Sequence, residues 1–122
     1  MKSNLRGSQD FQRVYRSGKR YHATSLTAFV SENGLPHHRV GVTASRKALG
    51  NAVQRNRGKR VLREAFRLSE PILSSLERKY DWVLNARGNL LKINTPLAIA
   101  ELESILKSVK AREAEEHRLQ LT

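Results

Sequence analysis

Four cationic residues, Arg55, Lys59, Arg63 and Arg67, recur at every fourth position of the chain. At 100° per residue they fall at about 0°, 40°, 80° and 120° on a helical wheel, with Asn56 and Arg60 at about 100° and 140°. Leu68, Val61, Ala65, Gly58 and Leu62 occupy about 220° to 340°, Phe66 sits near the seam at about 20°, and Arg57 lies outside the basic arc at about 200°. A face kept only for solubility gains by alternating signs at i,i+4, at ~0.2–0.5 kcal/mol per pair. This face repeats one sign and repels itself, an arrangement that phosphates neutralise. Glu64 is the single acid between residues 39 and 67; beside Arg60 and Arg63 it reads as a structural pair, not a base.

Whole-chain charge points the same way. The 122 residues carry 23 Lys+Arg against 11 Asp+Glu, net +12. Residues 1–38 hold six basic and two acidic side chains, residues 39–67 nine and one, and residues 68–122 eight of each. Two thirds of the excess lies in a quarter of the chain, so a polyanion is the expected partner. The chain has no cysteine, which excludes disulfides, Cys-ligated zinc and thiol catalysis. No apolar run is long enough to span a bilayer, and residues 1–10 lack the apolar stretch of a secretory signal. A cytoplasmic protein with no membrane partner is expected.

Other chemistry is sparse. His37-His38 stands beside Pro36 with no carboxylate at ligand spacing, and His22 and His117 are single. Gly50-Asn51-Ala52-Val53 lacks the Lys-Ser/Thr of a phosphate loop. No constellation of acids or histidines suits a nuclease, so no catalytic residue and no protein-bound metal or cofactor is expected.

The elements that must position the basic face follow from periodicity. Residues 8–17 read as a short helix capped by Ser8 and ended by Gly18, with Phe11, Val14 and Tyr15 on one face. Residues 21–31 read as one long strand, with Tyr21, Ser25, Thr27, Phe29 and Ser31 on one side and His22, Thr24, Leu26, Ala28 and Val30 on the other. Asn33-Gly34 with Pro36 signals a turn into a strand over 40–45, making a hairpin. Asn51 caps a long helix to about Leu68. Residues 80–87 form a third strand. Thr95-Pro96 starts a last helix, with Thr95 as cap, whose apolar side is Leu97, Ile99, Leu102, Ile105, Leu106 and Val109. Residues 111–122 form a charged tail that frays or extends it. Outward-facing Tyr21, Thr27, Phe29, Thr43, Ser45, Asn85 and Arg87 would give a polar and aromatic sheet face on which bases stack at ~1–3 kcal/mol each. Phe29, Phe11 and Tyr15 read equally as ordinary core.

The run from Arg46-Lys47 through Arg55-Asn56-Arg57-Gly58-Lys59-Arg60 to Arg63-Glu64-Ala65-Phe66-Arg67 resembles the signature of the bacterial ribonuclease P protein subunit. Asp10-Phe11 with Gly18, the strand beginning Arg39-Val40-Gly41, and residues 80–87 are similar to further parts of that family. The resemblance implies a single-domain α+β sandwich over residues 1–110, ribosomal-protein-like, with a small four-stranded sheet, about three helices and a left-handed βαβ crossover. It also implies an RNA-binding subunit that assists endonucleolytic removal of the 5′ leader from precursor tRNA. The catalytic RNA would hold Mg2+ and perform the hydrolysis, with one protein copy per RNA. By position, Arg46, Lys47, Arg55, Asn56, Arg57, Lys59, Arg60, Arg63 and Arg67 would face that RNA. Phe11, Tyr15, Phe29 and Arg87 would line the leader cleft. Gly58 departs from the family's Ile, Leu or Val, at a cost in packing and of ~0.8–1 kcal/mol in propensity against Ala. The residues alone also fit a general RNA-binding or ribosomal protein, which needs the basic helix but neither the aromatic cleft nor the full signature.

Overall fold

The computed structural model describes residues 2–121. In chain order the elements are β1 (Lys2–Asn4), α1 (Gly7–Ser17), β2 (Lys19–His22), β3 (Leu26–Glu32), β4 (His38–Thr43), α2 (Arg46–Leu49), α3 (Ala52–Leu68), α4 (Glu70–Ser75), β5 (Tyr80–Ala86), a 3-10 turn (Leu90–Lys92) and α5 (Thr95–Gln120). The sheet runs β1-β4-β5-β3-β2. β4 and β5 are parallel neighbours, and the connection between them crosses through α2, α3 and α4. Four longer strands make the sheet that the resemblance implies. β1, three residues long, adds a parallel edge on β4.

Alternation along the strands sorts side chains onto two faces. Leu26, Ala28, Val40, Trp82 and Leu84 point inward and bury against Leu62, Ala65 and Phe66 of α3 and Leu102, Ile105 and Leu106 of α5. Among the described residues the other face is covered mainly by α1. There Val14 packs with Leu5 and Val83 in a second, smaller cluster, with Phe11 and Phe29 at its margin.

Three expectations from periodicity are corrected. Residues 21–31 are not one strand, because the chain reverses at 23–25, where the Ala23 N–H donates to the Leu26 carbonyl, and β2 returns antiparallel on β3. The reversal exchanges the faces of β2: Tyr21 joins the main core, and His22 stands opposite Thr27 on the outer face. β3 and β4 do not form a hairpin, since β5 lies between them, antiparallel to β3 and parallel to β4. On α3, Phe66 is core while Leu68 is 44% exposed. The buried arc is thus rotated toward Arg55 and Lys59, which are half-buried.

Helix ends also shift. α1 begins after Arg6 with no side-chain cap. α5 is capped by Asn94, whose Oδ1 accepts from the Leu97 N–H at 2.8 Å. The Asn51 cap of α3 is present and reciprocated, with Oδ1 accepting from the Gln54 N–H and Gln54 Oε1 accepting from the Asn51 N–H. α5 continues through residues 111–120. Glu113 in that stretch is buried and accepts from the Glu77 and Arg78 N–H groups and the Tyr80 hydroxyl.

Candidate RNA interface

α1 is fixed across the outer face by three successive residues that meet alternate residues of β5. Arg13 Nη2 reaches Asp81 at 3.0 Å, Val14 packs with Val83, and the Tyr15 hydroxyl donates to Asn85 Oδ1 at 3.0 Å. Asp81 is almost fully buried and is the hub of the face. Arg39 donates to it through Nε and Nη2 at 2.8 and 2.6 Å, and Asn33 Nδ2 donates at 2.9 Å. Burial works to raise the Asp81 pKa. Hydrogen bonds from Arg39, Asn33 and Arg13 outweigh it and hold the carboxyl below the usual carboxylate range. Gly41 permits the close approach of α1, because a Cβ there would lie 2.4 Å from Phe11 Cζ.

Beyond this hub α1 leaves a strip of the outer face open as a shallow groove, with Tyr15, His22 and Arg87 exposed and Thr43 and Asn85 half-buried. Tyr15 and Phe29 meet edge to face, centroids 4.8 Å apart at 87°, a favoured aromatic geometry. Tyr15 is 39% exposed, and Phe29 and Phe11 are half-buried. The rings therefore serve both the small core and the groove wall. Thr43 Oγ1 donates to Asn85 Oδ1 at 2.6 Å. With Tyr15 on the same oxygen, Asn85 Nδ2 has no partner among the described residues. Arg87 is exposed at the groove margin, its Nη1 3.4 Å from His22 Nδ1. His22 also lies 3.2 Å from Thr27 Oγ1. Two residues expected here lie elsewhere: Tyr21 is on the core side, and Ser45 caps α2 by accepting from the Ala48 N–H.

The cations lie beside this groove. Arg57, Arg60, Arg63, Arg67 and Asn56 are exposed along α3, and Arg46 and Lys47 are exposed on α2. Arg67 pairs with Glu64 through two hydrogen bonds of 3.0 and 2.5 Å, so the structural pair expected for Glu64 forms with a different arginine. Among the described residues, no carboxylate lies within ion-pair distance of Arg46, Lys47, Arg55, Arg57, Lys59, Arg60 or Arg63. Arg63 also lines a hollow beside Phe11 and Gly41, which brings the stripe to the groove's flank. Arg13, Arg39 and His22 escaped sequence reasoning. The signal for the first two was Asp81 itself, an acid inside the apolar run Tyr80-Asp81-Trp82-Val83-Leu84. For His22 there was none, because its face depends on the unmarked reversal at 23–25.

A helix on which, among the described residues, every cation but Arg67 lacks a carboxylate partner, beside a half-exposed aromatic strip, defines a small basic α+β protein with a polyanion-compatible side. The family model described as Ribonuclease P matches residues 1–110, and the chain belongs to the ribonuclease P protein family. It is 35% identical over 114 residues to the ribonuclease P protein component of Caldanaerobacter subterraneus subsp. tengcongensis, covering 93% of this chain and 95% of that one. It is 41% identical over 101 residues to the component from Syntrophobacter fumaroxidans, covering 83% and 82%. Its fold is similar to the Staphylococcus aureus RNase P protein, with TM-score 0.74 and 30% identity over 88% of this chain and 94% of that one. The Thermotoga maritima RNase P protein is likewise similar, with TM-score 0.74 and 26% identity over 86% and 96%. Membership makes the chain a protein component of ribonuclease P, whose partner is the ribonuclease P RNA.

Proposed function

We propose that the chain binds the catalytic RNA of ribonuclease P through α2 and α3 and the 5′ leader of precursor tRNA through the outer-face groove, one protein copy per RNA. Arg46, Lys47, Arg55, Asn56, Arg57, Lys59, Arg60, Arg63 and Arg67 are the RNA-facing set, and Phe11, Tyr15, Phe29 and Arg87 the leader-facing set. The RNA holds Mg2+ and carries out the hydrolysis. The protein supplies no catalytic group; its cations offset phosphate repulsion and its groove holds substrate. The work is placed in the cytoplasm. The observation that carries this reading is the set of seven cations on α2 and α3 without a carboxylate partner among the described residues, whose mutual repulsion bound phosphates relieve.

Arg60 and Arg63 give the cleanest test, being exposed and away from the core. Arg60→Gln with Arg63→Gln should weaken catalytic-RNA binding and reduce the log–log salt slope by about 0.7–0.9 for each phosphate no longer neutralised. An unchanged slope in a folded double variant contradicts the assignment.

A further inference from the structure

Arg57 stands apart from the stripe. Around α3 it lies about 120° from Arg63, and the two line different hollows. The Arg57 hollow, about 410 Å3, is enclosed by Ala48, Leu49, Gln54, Gly88, Leu91 and Lys92. It sits where the chain leaves the carboxyl ends of parallel β4 and β5, the edge at which open α/β sheets commonly take ligands. Its floor is apolar, with Leu49 buried and Ala48 and Leu91 half-buried. Its rim carries the exposed Arg57 and Lys92, neither with a carboxylate partner among the described residues. Gln54 Oε1 is engaged by the Asn51 N–H, so its Nε2 donors remain. Among the described residues no acid lines the hollow. The rim side chains therefore offer donors and positive charge above an apolar floor.

Gly58 helps to shape this floor. A Cβ at that position would come within 2.3 Å of Leu49 Cδ1. Glycine thus lets Leu49 seat back against α3, and a branched residue there would press it toward the hollow.

We infer that this hollow receives one unpaired nucleotide of the ribonuclease P RNA, its phosphate between Arg57 and Lys92 and its base over Ala48, Leu49 and Leu91. The inference rests on the proposal that the chain binds that RNA. A duplex would offer phosphates to the rim and leave the apolar floor uncovered, whereas a splayed nucleotide covers both. The leader is the poorer occupant, because the Tyr15–Phe29 groove belongs to the outer face of the sheet and the hollow to its strand-end edge.

The chain has no cysteine, so Lys92→Cys carries a photo-crosslinker at a single site. In the binary complex with catalytic RNA it should crosslink to an unpaired nucleotide. Lys92→Ala should lower affinity about five- to eightfold at 0.1 M salt, the contribution of one phosphate contact, and leave the ratio of precursor to mature tRNA affinity unchanged. Crosslinks confined to paired RNA, or formed only when precursor tRNA is added, overturn the inference. So does an unchanged Lys92→Ala affinity when the Arg60 and Arg63 variants do weaken binding. If those variants are also without effect, the RNA-binding reading itself fails, and the hollow's assignment with it.

Discussion

Replacing Asp81 by Asn removes the buried charge on which Arg13, Arg39 and Asn33 converge while keeping the side chain's shape. Asn retains an acceptor for one arginine but turns an amide toward donors on its other side. Breaking a buried ion pair by removing one partner costs about 3–5 kcal/mol. The Arg13 side chain is 51% exposed and rehydrates, and Arg39 keeps Asp10 at 3.8 Å, so the lower end applies, about 3 kcal/mol. For a chain of this size that corresponds to a fall of roughly 12 °C in Tm. The effect has a defined pH dependence. Because the folded-state pKa of Asp81 is depressed, its contribution is complete above the unfolded value near ~3.9 and is lost as pH falls through the lower folded value. Urea unfolding of both proteins at neutral pH and in acid measures it. The gap should be widest at pH 7 and close progressively in acid. A gap below about 1 kcal/mol at pH 7, or one that persists at the lowest pH, refutes the hub as the anchor of α1.

Three further outcomes follow from the packing. His38 is buried, and its Nδ1 accepts from the Tyr80 N–H and Trp82 Nε1. Burial, opposed by the Leu73 carbonyl and assisted by Lys79, lowers its pKa, so stability should decline as pH drops below about 6.5; NMR titration showing His38 protonating in the folded state at or above that value would contradict this. Gly58→Ala gains about 1 kcal/mol of helix propensity against a shift of one Leu49 methyl, so its unfolding free energy should stay within about 1 kcal/mol of the parent; Gly58→Ile must displace Leu49 and should lose about 1–3 kcal/mol. Phe29→Leu should weaken precursor-tRNA binding to the holoenzyme by roughly 1–3 kcal/mol and spare mature tRNA, and an unchanged ratio of the two affinities means that Phe29 serves only the core.

The long helix was legible because its signals are local: a cap at Asn51 and a strong period. Thr43 and Asn85 took their expected outward face for the same reason. The sheet order was not legible. The turn at Asn33-Gly34 is real, but the partner of β3 is decided by the crossover from β4, which inserts β5 between them. The reversal at 23–25 uses Ala, Thr and Ser, without the Gly or Pro that marks most tight turns, so Tyr21 and His22 exchanged faces unseen. Leu68 was placed by type on the buried side of the wheel, yet the packing of α3 on the sheet and α5 centres nearer Leu62 and Phe66. The family signature supplies the proposed RNA-facing set by position and could not reveal that Arg57 lines a hollow of its own. Gly58 read as a defect in the helix, whereas its missing side chain is space occupied by Leu49.

Under the proposed function this chain enables an RNA to cut precursor tRNA and does not cut it alone. Cleavage should be followed at low Mg2+ with catalytic RNA alone, protein alone and the two together. Mature 5′ ends are expected only in the combined reaction, with slow or absent cleavage by the RNA alone until Mg2+ is raised and none by the protein at any Mg2+ concentration. Cleavage by the protein alone, surviving removal of contaminating nuclease, or a combined reaction no faster than the RNA alone at low Mg2+, would contradict it.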